Sequence, residues 1–234
     1  MSKSRGNVVN PDELTARFGS DTVRCFLMFI GPWDQGGPWN PSSIEGVHRF
    51  LGRVWAVAQA TDGSRAEAEA KRALRHAAHR AIKEVGEDYA EFHFNTALSK
   101  LMELTNALGA ARDDGLAGTD AYAEATDALL LLLAPMAPHI SEELWSRRGK
   151  PYSVHQQAWP AFDPALVASD VVELPVQVDG KLRDRLVVAS GTAPEEIERL
   201  ALASERVQAY LKGRAPSKVV HIPGRLVNFV TPGE

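Results

Sequence analysis

Near the amino end, Ser2-Lys3-Ser4-Arg5-Gly6-Asn7 places hydroxyls, cations and a permissive glycine within one short polar run. Those residue types suit a clamp on a polyphosphate. Hydroxyls and backbone N–H groups can donate to phosphate oxygens, the glycine allows close backbone approach, and a lysine ammonium can stabilise charge that builds up as pyrophosphate leaves. A frayed terminus would have the same composition. A second set lies in the tail, where Lys181, Arg183 and Arg185 fall at i, i+2 and i+4. A strand with that spacing points all three to one side, where they could neutralise nucleic-acid phosphates with salt-sensitive affinity. A solvated strand edge guarded by cations gives the same pattern.

Other chemistries find little support in the residues. The seven histidines are scattered, and only His76 and His79 stand one helical turn apart. With no Cys, Asp or Glu completing a ligand set, the pair reads as part of a solvated helix face, and no metal site is expected. Glu142 and Glu143 read as ordinary surface charge. The chain contains no G-x-S-x-G, P-loop or G-x-G-x-x-G signature.

The elements that must position these groups follow from periodicity. Asn10-Pro11-Asp12-Glu13 combines an N-cap, a proline at the first helical position and a glutamate three residues after the cap; Gly19 closes that short helix. In the next helix Val23, Phe26, Leu27 and Ile30 form one apolar stripe, and Gly31-Pro32 stops it before a turn-rich loop carrying Trp33 and Trp39. From about residue 46 to 148 the pattern is helical throughout. Val47, Phe50, Leu51, Val54, Trp55 and Ala58 make one stripe, and Phe94, Ala97, Leu98, Leu101, Thr105 and Leu108 another. A weaker stripe through Leu74, Ala77, Ala81 and Val85 predicts a solvated helix with one buried edge. The run "LLLLLAP" is apolar all round, so its helix belongs at the centre of an antiparallel bundle, broken by Pro135 and Pro138.

The texture changes after "AWPAFDPALVASD". Apolar residues alternate on both sides of Asp179-Gly180, which fits a two-residue type I′ hairpin. Thr192-Ala193-Pro194-Glu195 resembles a capping box opening an amphipathic helix, and "KVVHIPGRLVNFV" supplies two strands around Pro223-Gly224. The expected fold is mainly α: a helix bundle followed by a small α+β domain. The expected segments are 1–45, carrying the polar loop and connecting helices, the bundle at 46–165, and the tail domain at 171–234.

Composition narrows the partners. A net charge of -4 and a pI near 6.0 leave any nucleic-acid contact to local patches. One cysteine, Cys25, rules out an internal disulfide and points to a reducing, cytoplasmic setting. No apolar stretch approaches the ~20 residues of a membrane span.

The wording of the sequence adds a family. "MSKSRGNVVNPDEL" resembles the Lys-Met-Ser-Lys-Ser loop of class I aminoacyl-tRNA synthetases, with the chain starting at the motif's methionine. "GSDTVRCFLMFIGPWDQGGPWN" and "IEGVHRFLGRVW" are similar to leucyl-tRNA synthetases, and "LLAPMAPHISEELW" resembles the segment closing their anticodon-binding-type helical domain. "VQVDGKLRDRL" and "VHIPGRLVNFV" look like the small C-terminal domain of the bacterial leucyl enzymes. A single cysteine sets the chain apart from the zinc-bearing isoleucyl tails, and the absence of heptads from the coiled-coil valyl tails. The resemblance implies ATP-dependent leucylation of tRNA(Leu) by the complete enzyme, with ATP accompanied by Mg2+. It implies that Lys3, with Ser2 and Ser4 beside it, contacts the ATP phosphates, and that the tail bearing Lys181, Arg183 and Arg185 touches the tRNA elbow. It also implies that the nucleotide-binding fold, leucine pocket and editing domain lie in a missing N-terminal region, so this chain alone is not expected to be catalytic. The alternative is a stand-alone, non-catalytic tRNA- or RNA-binding protein, or an assembly subunit of a split synthetase.

Overall fold

The computed structural model describes residues 3–6, 8–37, 39–40, 43–63, 67–167, 171–189, 192–211, 213–222 and 225–231. The chain divides into two compact units, Met1–Val167 and Ala168–Glu234. The first is helical: α1 (Pro11–Phe18), α2 (Ser20–Phe29), α3 (Ile44–Ala58), α4 (Ala68–Ala90), α5 (Phe94–Asp113), α6 (Asp120–Leu133), α7 (Pro138–Arg147) and α8 (Pro164–Val167). The second holds strands β1 (Val171–Val178), β2 (Lys181–Ala189), β3 (Lys218–Ile222) and β4 (Leu226–Val230), with helices α9 (Pro194–Ala203) and α10 (Glu205–Leu211). The architecture is the one the periodicity predicts.

α6 sits at the centre of the bundle because its leucines leave no polar face. Leu129, Leu130, Leu132 and Leu133 are all buried, and α6 packs against α4, α5 and α7. Burying a leucine side chain completely contributes about 1.5–3 kcal/mol, so this one helix anchors much of the core. Tyr122 is also buried at its start, where the hydroxyl donates to Val57 O at 2.9 Å and ties α6 to the end of α3. The connection after α3 runs so close to the one before α6 that a Cβ on Gly118 would lie 2.0 Å from Gly63 O; only glycine fits.

Three expectations are corrected here. Leu27 is 48% exposed rather than part of the α2 stripe. The helix is rolled toward its polar residues, because Asp21 bonds to the start of α7 and the Thr22 hydroxyl donates to Phe18 O at 2.8 Å. α4 buries more than one edge, since it is sandwiched between α5 and α6 and hides Leu74, Ala78, His79, Ala81, Ile82, Val85 and Asp88. Glu142 is not plain surface charge: it accepts the Val154 N–H at 2.9 Å and the Ser153 hydroxyl, fixing the chain that follows α7.

That following chain, residues 148–167, is a strap laid back along the bundle. His79 and His76 hold it, which corrects the solvated reading of this pair. His79 is 8% exposed; its Nδ1 accepts the Asp163 N–H at 2.9 Å, which leaves Nε2–H to donate to Glu124 Oε1 at 2.9 Å. One turn earlier, His76 Nδ1–H donates to Leu166 O at 2.7 Å. Arg75 completes the array, with Nε 2.8 Å from Glu124 and a terminal nitrogen 2.7 Å from Asp120.

In the second unit the sheet order is β2-β1-β4-β3, with β1 and β4 parallel and the other pairs antiparallel. Leu174, Val176, Val178, Val227 and Phe229 pack on Ile197, Ala201, Val207 and Leu211 of the two helices. The β1–β2 turn has positive φ at both Asp179 (53°) and Gly180 (75°), as a type I′ turn requires. α9 opens at Pro194, with Ala193 at its N-cap and Glu195 and Glu196 in its first turn. The single predicted helix is split at Ser204, whose hydroxyl oxygen accepts the Val207 N–H at 3.4 Å to start α10. Pro223-Gly224 lies outside the described residues.

Replacing Gly180 by alanine forces a Cβ into a left-handed turn, so calorimetry should show the second unit losing about 1 kcal/mol with the first unit's transition unmoved; a shared shift would count against the separate units. A second expectation concerns acid. Arg75 is the main cause that holds the Asp120 carboxyl at about 2, helped by the Ala121 amide and by Lys71. A carboxyl held below its unfolded value stabilises the fold above ordinary carboxylate pH and loses that contribution as pH falls through the folded value. The thermal midpoint should therefore drop between about pH 4 and pH 2, and Arg75→Met should flatten that limb.

Candidate nucleotide and RNA contact sites

The amino-terminal loop reaches the bundle through a chain of local constraints. Lys3–Arg5 form one 3-10 turn, and Gly6 takes a positive φ of 63°. The Asn10 side chain accepts the Asp12 N–H at 3.1 Å, so α1 starts at Pro11 as the sequence predicts. α1 and α2 are then joined by Gly19 alone, at φ 85° and ψ 154°, a conformation open essentially only to glycine. Ser4 and Arg5 are exposed; Ser2 and the Lys3 side chain lie outside what is described.

α2 fixes this assembly to the bundle with two charged side chains. Asp21, 8% exposed, accepts the Ile140 N–H and the His139 Nδ1–H, both at 2.7 Å, and so caps the start of α7. Arg24 donates to Pro135 O at 2.9 Å and Met136 O at 3.1 Å, satisfying carbonyls at the end of α6. Thus α2 grips both sides of the proline-rich turn between α6 and α7. Cys25 beside them is fully buried, and desolvation first, then Asp21, pushes its thiol up to about 12, so it is an inert packing group.

The tail cations do not share one face. Leu182 pairs with Gln177 and Asp184 with Val176, which leaves Arg183 as an extra residue in a β-bulge. The bulge breaks the alternation that the i, i+2, i+4 argument assumed. Arg185 bonds Glu173 at 2.6 Å, opposite the sheet face that packs on the helices. Arg183 turns toward the helices instead, its guanidinium carbon 3.7 Å from the centroid of the Tyr210 ring on α10. Lys181, at the start of β2, is exposed and without an ion pair among the described residues.

Sequence reasoning missed Tyr210, Arg214 and Lys218, which lie near this end of the sheet. The overlooked signal is Ser204, whose capping chemistry starts α10 and so places Tyr210 against β2. Trp33 and Trp39 pack edge-on against Phe94 and Phe26, at 5.6 and 5.1 Å, in the first unit. Among the described residues no group of three or more His, Cys, Asp or Glu could hold a metal, and no helix is long and apolar enough to cross a membrane.

Comparison with known proteins bears on these sites. A family model described as the anticodon-binding domain of tRNA ligase matches residues 71–199, more than half of the chain. The chain is 48% identical over 230 residues to a leucine–tRNA ligase of Herpetosiphon aurantiacus and 51% identical over 230 residues to one of Rubrobacter xylanophilus. Each alignment covers 98% of this chain, yet the chain spans only 28% of the length of these relatives. Among solved structures, the LeuRS of Agrobacterium radiobacter in a ternary complex with tRNA and LeuAMS superposes with a TM-score of 0.81 at 30% identity, over 100% of this chain and 32% of that one. A methionyl-tRNA synthetase of Mycobacterium tuberculosis shares the fold, with a TM-score of 0.54 at 21% identity over 72% of this chain and 38% of that one.

Asp21→Ala strips the α7 amide of its acceptor inside a packed junction and should cost about 1–3 kcal/mol. Hydrogen exchange should show the Ile140 amide losing protection more than amides in the middle of α5; equal loss everywhere would mean that α2 has no local grip.

Proposed function

The chain belongs to the anticodon-binding domain family of tRNA ligases, and we propose that it is the C-terminal part of a leucine–tRNA ligase, serving ATP-dependent leucylation of tRNA(Leu) in the cytoplasm. Collinear identity of 44–51% over nearly the whole chain to leucine–tRNA ligases supports that reading. The observation that carries it is structural. Through Asp21 and Arg24, the helices bearing a phosphate-type loop are fastened to a bundle of the family that binds anticodons. One packed unit thereby joins a nucleotide contact to an RNA contact.

In the complete reaction a leucine carboxylate oxygen attacks the α-phosphorus of ATP, and pyrophosphate leaves with the bonding pair. A hydroxyl of the terminal tRNA adenosine then attacks the leucyl carbonyl and AMP leaves. Lys3 supplies positive charge to the ATP phosphates, where negative charge accumulates on the departing pyrophosphate; Ser2 and Ser4 flank it as donors. Mg2+ arrives with ATP as part of that substrate. The bundle and tail supply binding and orientation rather than reacting groups, and the missing region of the enzyme supplies the rest of the active site. Lys181 and Arg183 lead the tail's phosphate contacts. Arg185 contributes less, because Glu173 already engages its charge.

In a complete ligase carrying this chain, Lys3→Ala should lower the turnover of ATP–pyrophosphate exchange by about 10²–10³-fold and leave tRNA affinity within about twofold. Turnover near wild type would refute the role, as would leucyl-adenylate formed by these 234 residues alone.

A further inference from the structure

The last turn of the strap is held with little packing. α8 has no buried residue, and Phe162 just before it is 40% exposed. What fastens this turn is polar and centres on Asp163. Its carbonyl accepts the Leu166 N–H at 3.0 Å and the Val167 N–H at 3.1 Å, and its Oδ1 accepts the Ala165 N–H at 2.9 Å, so Asp163 opens α8. The Asp163 N–H goes to His79 Nδ1 on α4, and Leu166 O accepts from His76 Nδ1–H one turn earlier on the same helix.

The two histidines respond differently to a proton. His76 uses a donor, which the ring keeps when it is charged. His79 uses an acceptor, which only the neutral ring has. A charged His79 sets N–H against the Asp163 N–H, and turning the ring over does not help, because imidazolium has no acceptor to offer. Glu124 sits on Nε2, the nitrogen that donates in either state, so it supports the charged ring without restoring the bond to the strap.

The other charged groups around the ring are committed elsewhere. On α4, Arg75 bonds Glu124 and Asp120, and Lys83 pairs with Glu87. On α6, Asp120 also pairs with Lys71, and Asp127 holds Arg148 and Lys150. α5 gives Lys100 to Asp88 and Glu103 to Arg80. On the strap, the Asp163 carboxylate is turned to the Ala165 N–H.

We propose that His79 is a pH-sensitive latch on the end of the strap. With the ring neutral, α8 is seated on α4; with the ring charged, Asp163 is released and only the bond from His76 remains to hold a turn that has no buried side chain. The closed form excludes the proton and the open form admits it, so acid opens the latch. α8 is the last element of the first unit, so opening adds its residues to the chain that leads into the second. The latch is a property of the first unit and does not depend on the nucleotide or RNA readings above.

The test is a distance measurement on the full chain by double electron–electron resonance, with nitroxides on Ala165→Cys and Asn106→Cys, both at exposed positions. Cys25 is buried and stays unlabelled. The distribution should be narrow at pH 8, and a broad population should grow toward pH 5, the range in which histidine side chains take up charge. The open-to-closed ratio should rise by up to about tenfold per pH unit, the limit for one proton. His79→Phe has no acceptor, so the broad population should be present at pH 8 and insensitive to acid. Glu124→Gln still accepts from Nε2–H but removes the charge that supports imidazolium, so opening should move to lower pH. His76→Phe should enlarge the open population and keep the pH response. A second pair, Asn106→Cys with Ser146→Cys, spans α5 and α7 at exposed positions and should keep its distance throughout. An α8 that stays seated in the wild type at pH 5, an unchanged opening midpoint in Glu124→Gln, or equal broadening of the α5–α7 pair would each overturn the latch.

Discussion

The first unit depends on how α2 holds the turn between α6 and α7. That turn contains two prolines, so it cannot satisfy its own backbone as a continuous helix would. Arg24 takes the carbonyls on one side, and Asp21 takes the amide on the other. Both charged groups act as caps supplied by a distant part of the chain. The same three bonds help attach the loop-bearing α1 and α2 to the bundle, so satisfying the turn and positioning the loop are one structural event. Gly19 is the single joint left between the loop's own helix and this fixed point.

A comparable economy holds the strap on the bundle's other side. His79 is buried where a helix surface would ordinarily carry a solvated group, and it is tolerated because both ring nitrogens are occupied, one accepting from Asp163 and the other donating to Glu124. Arg75 bonds the same Glu124, so charge in the array is balanced as well as hydrogen-bonded. The strap then brings Trp159 edge-on to Tyr89 at 5.5 Å, covering part of the bundle that would otherwise meet water.

The second unit shows how one inserted residue redistributes charged side chains. Without a bulge, the cations of β2 would form a single charged stripe. The extra residue at Arg183 sends one arginine under the helices and leaves another beside Glu173. In a chain with net charge -4, such local arrangement matters more than the overall balance.

Local chemistry alone determined a large share of this protein. Helix starts at Asn10-Pro11, the central leucine helix, the hairpin at Asp179-Gly180 and the two-part architecture are written in residue types and periods, because capping, proline, positive φ and apolar spacing act within a few residues. Tertiary structure alone decided the rest. That Asp21 faces inward while Leu27 faces out, that His79 is a buried clip and not a wet surface group, and that Arg183 rests on Tyr210 all depend on partners between 27 and 119 residues away. Such pairings leave no period in the sequence, because a hydrogen bond between distant segments is set by how whole elements pack and not by the spacing of residues within one.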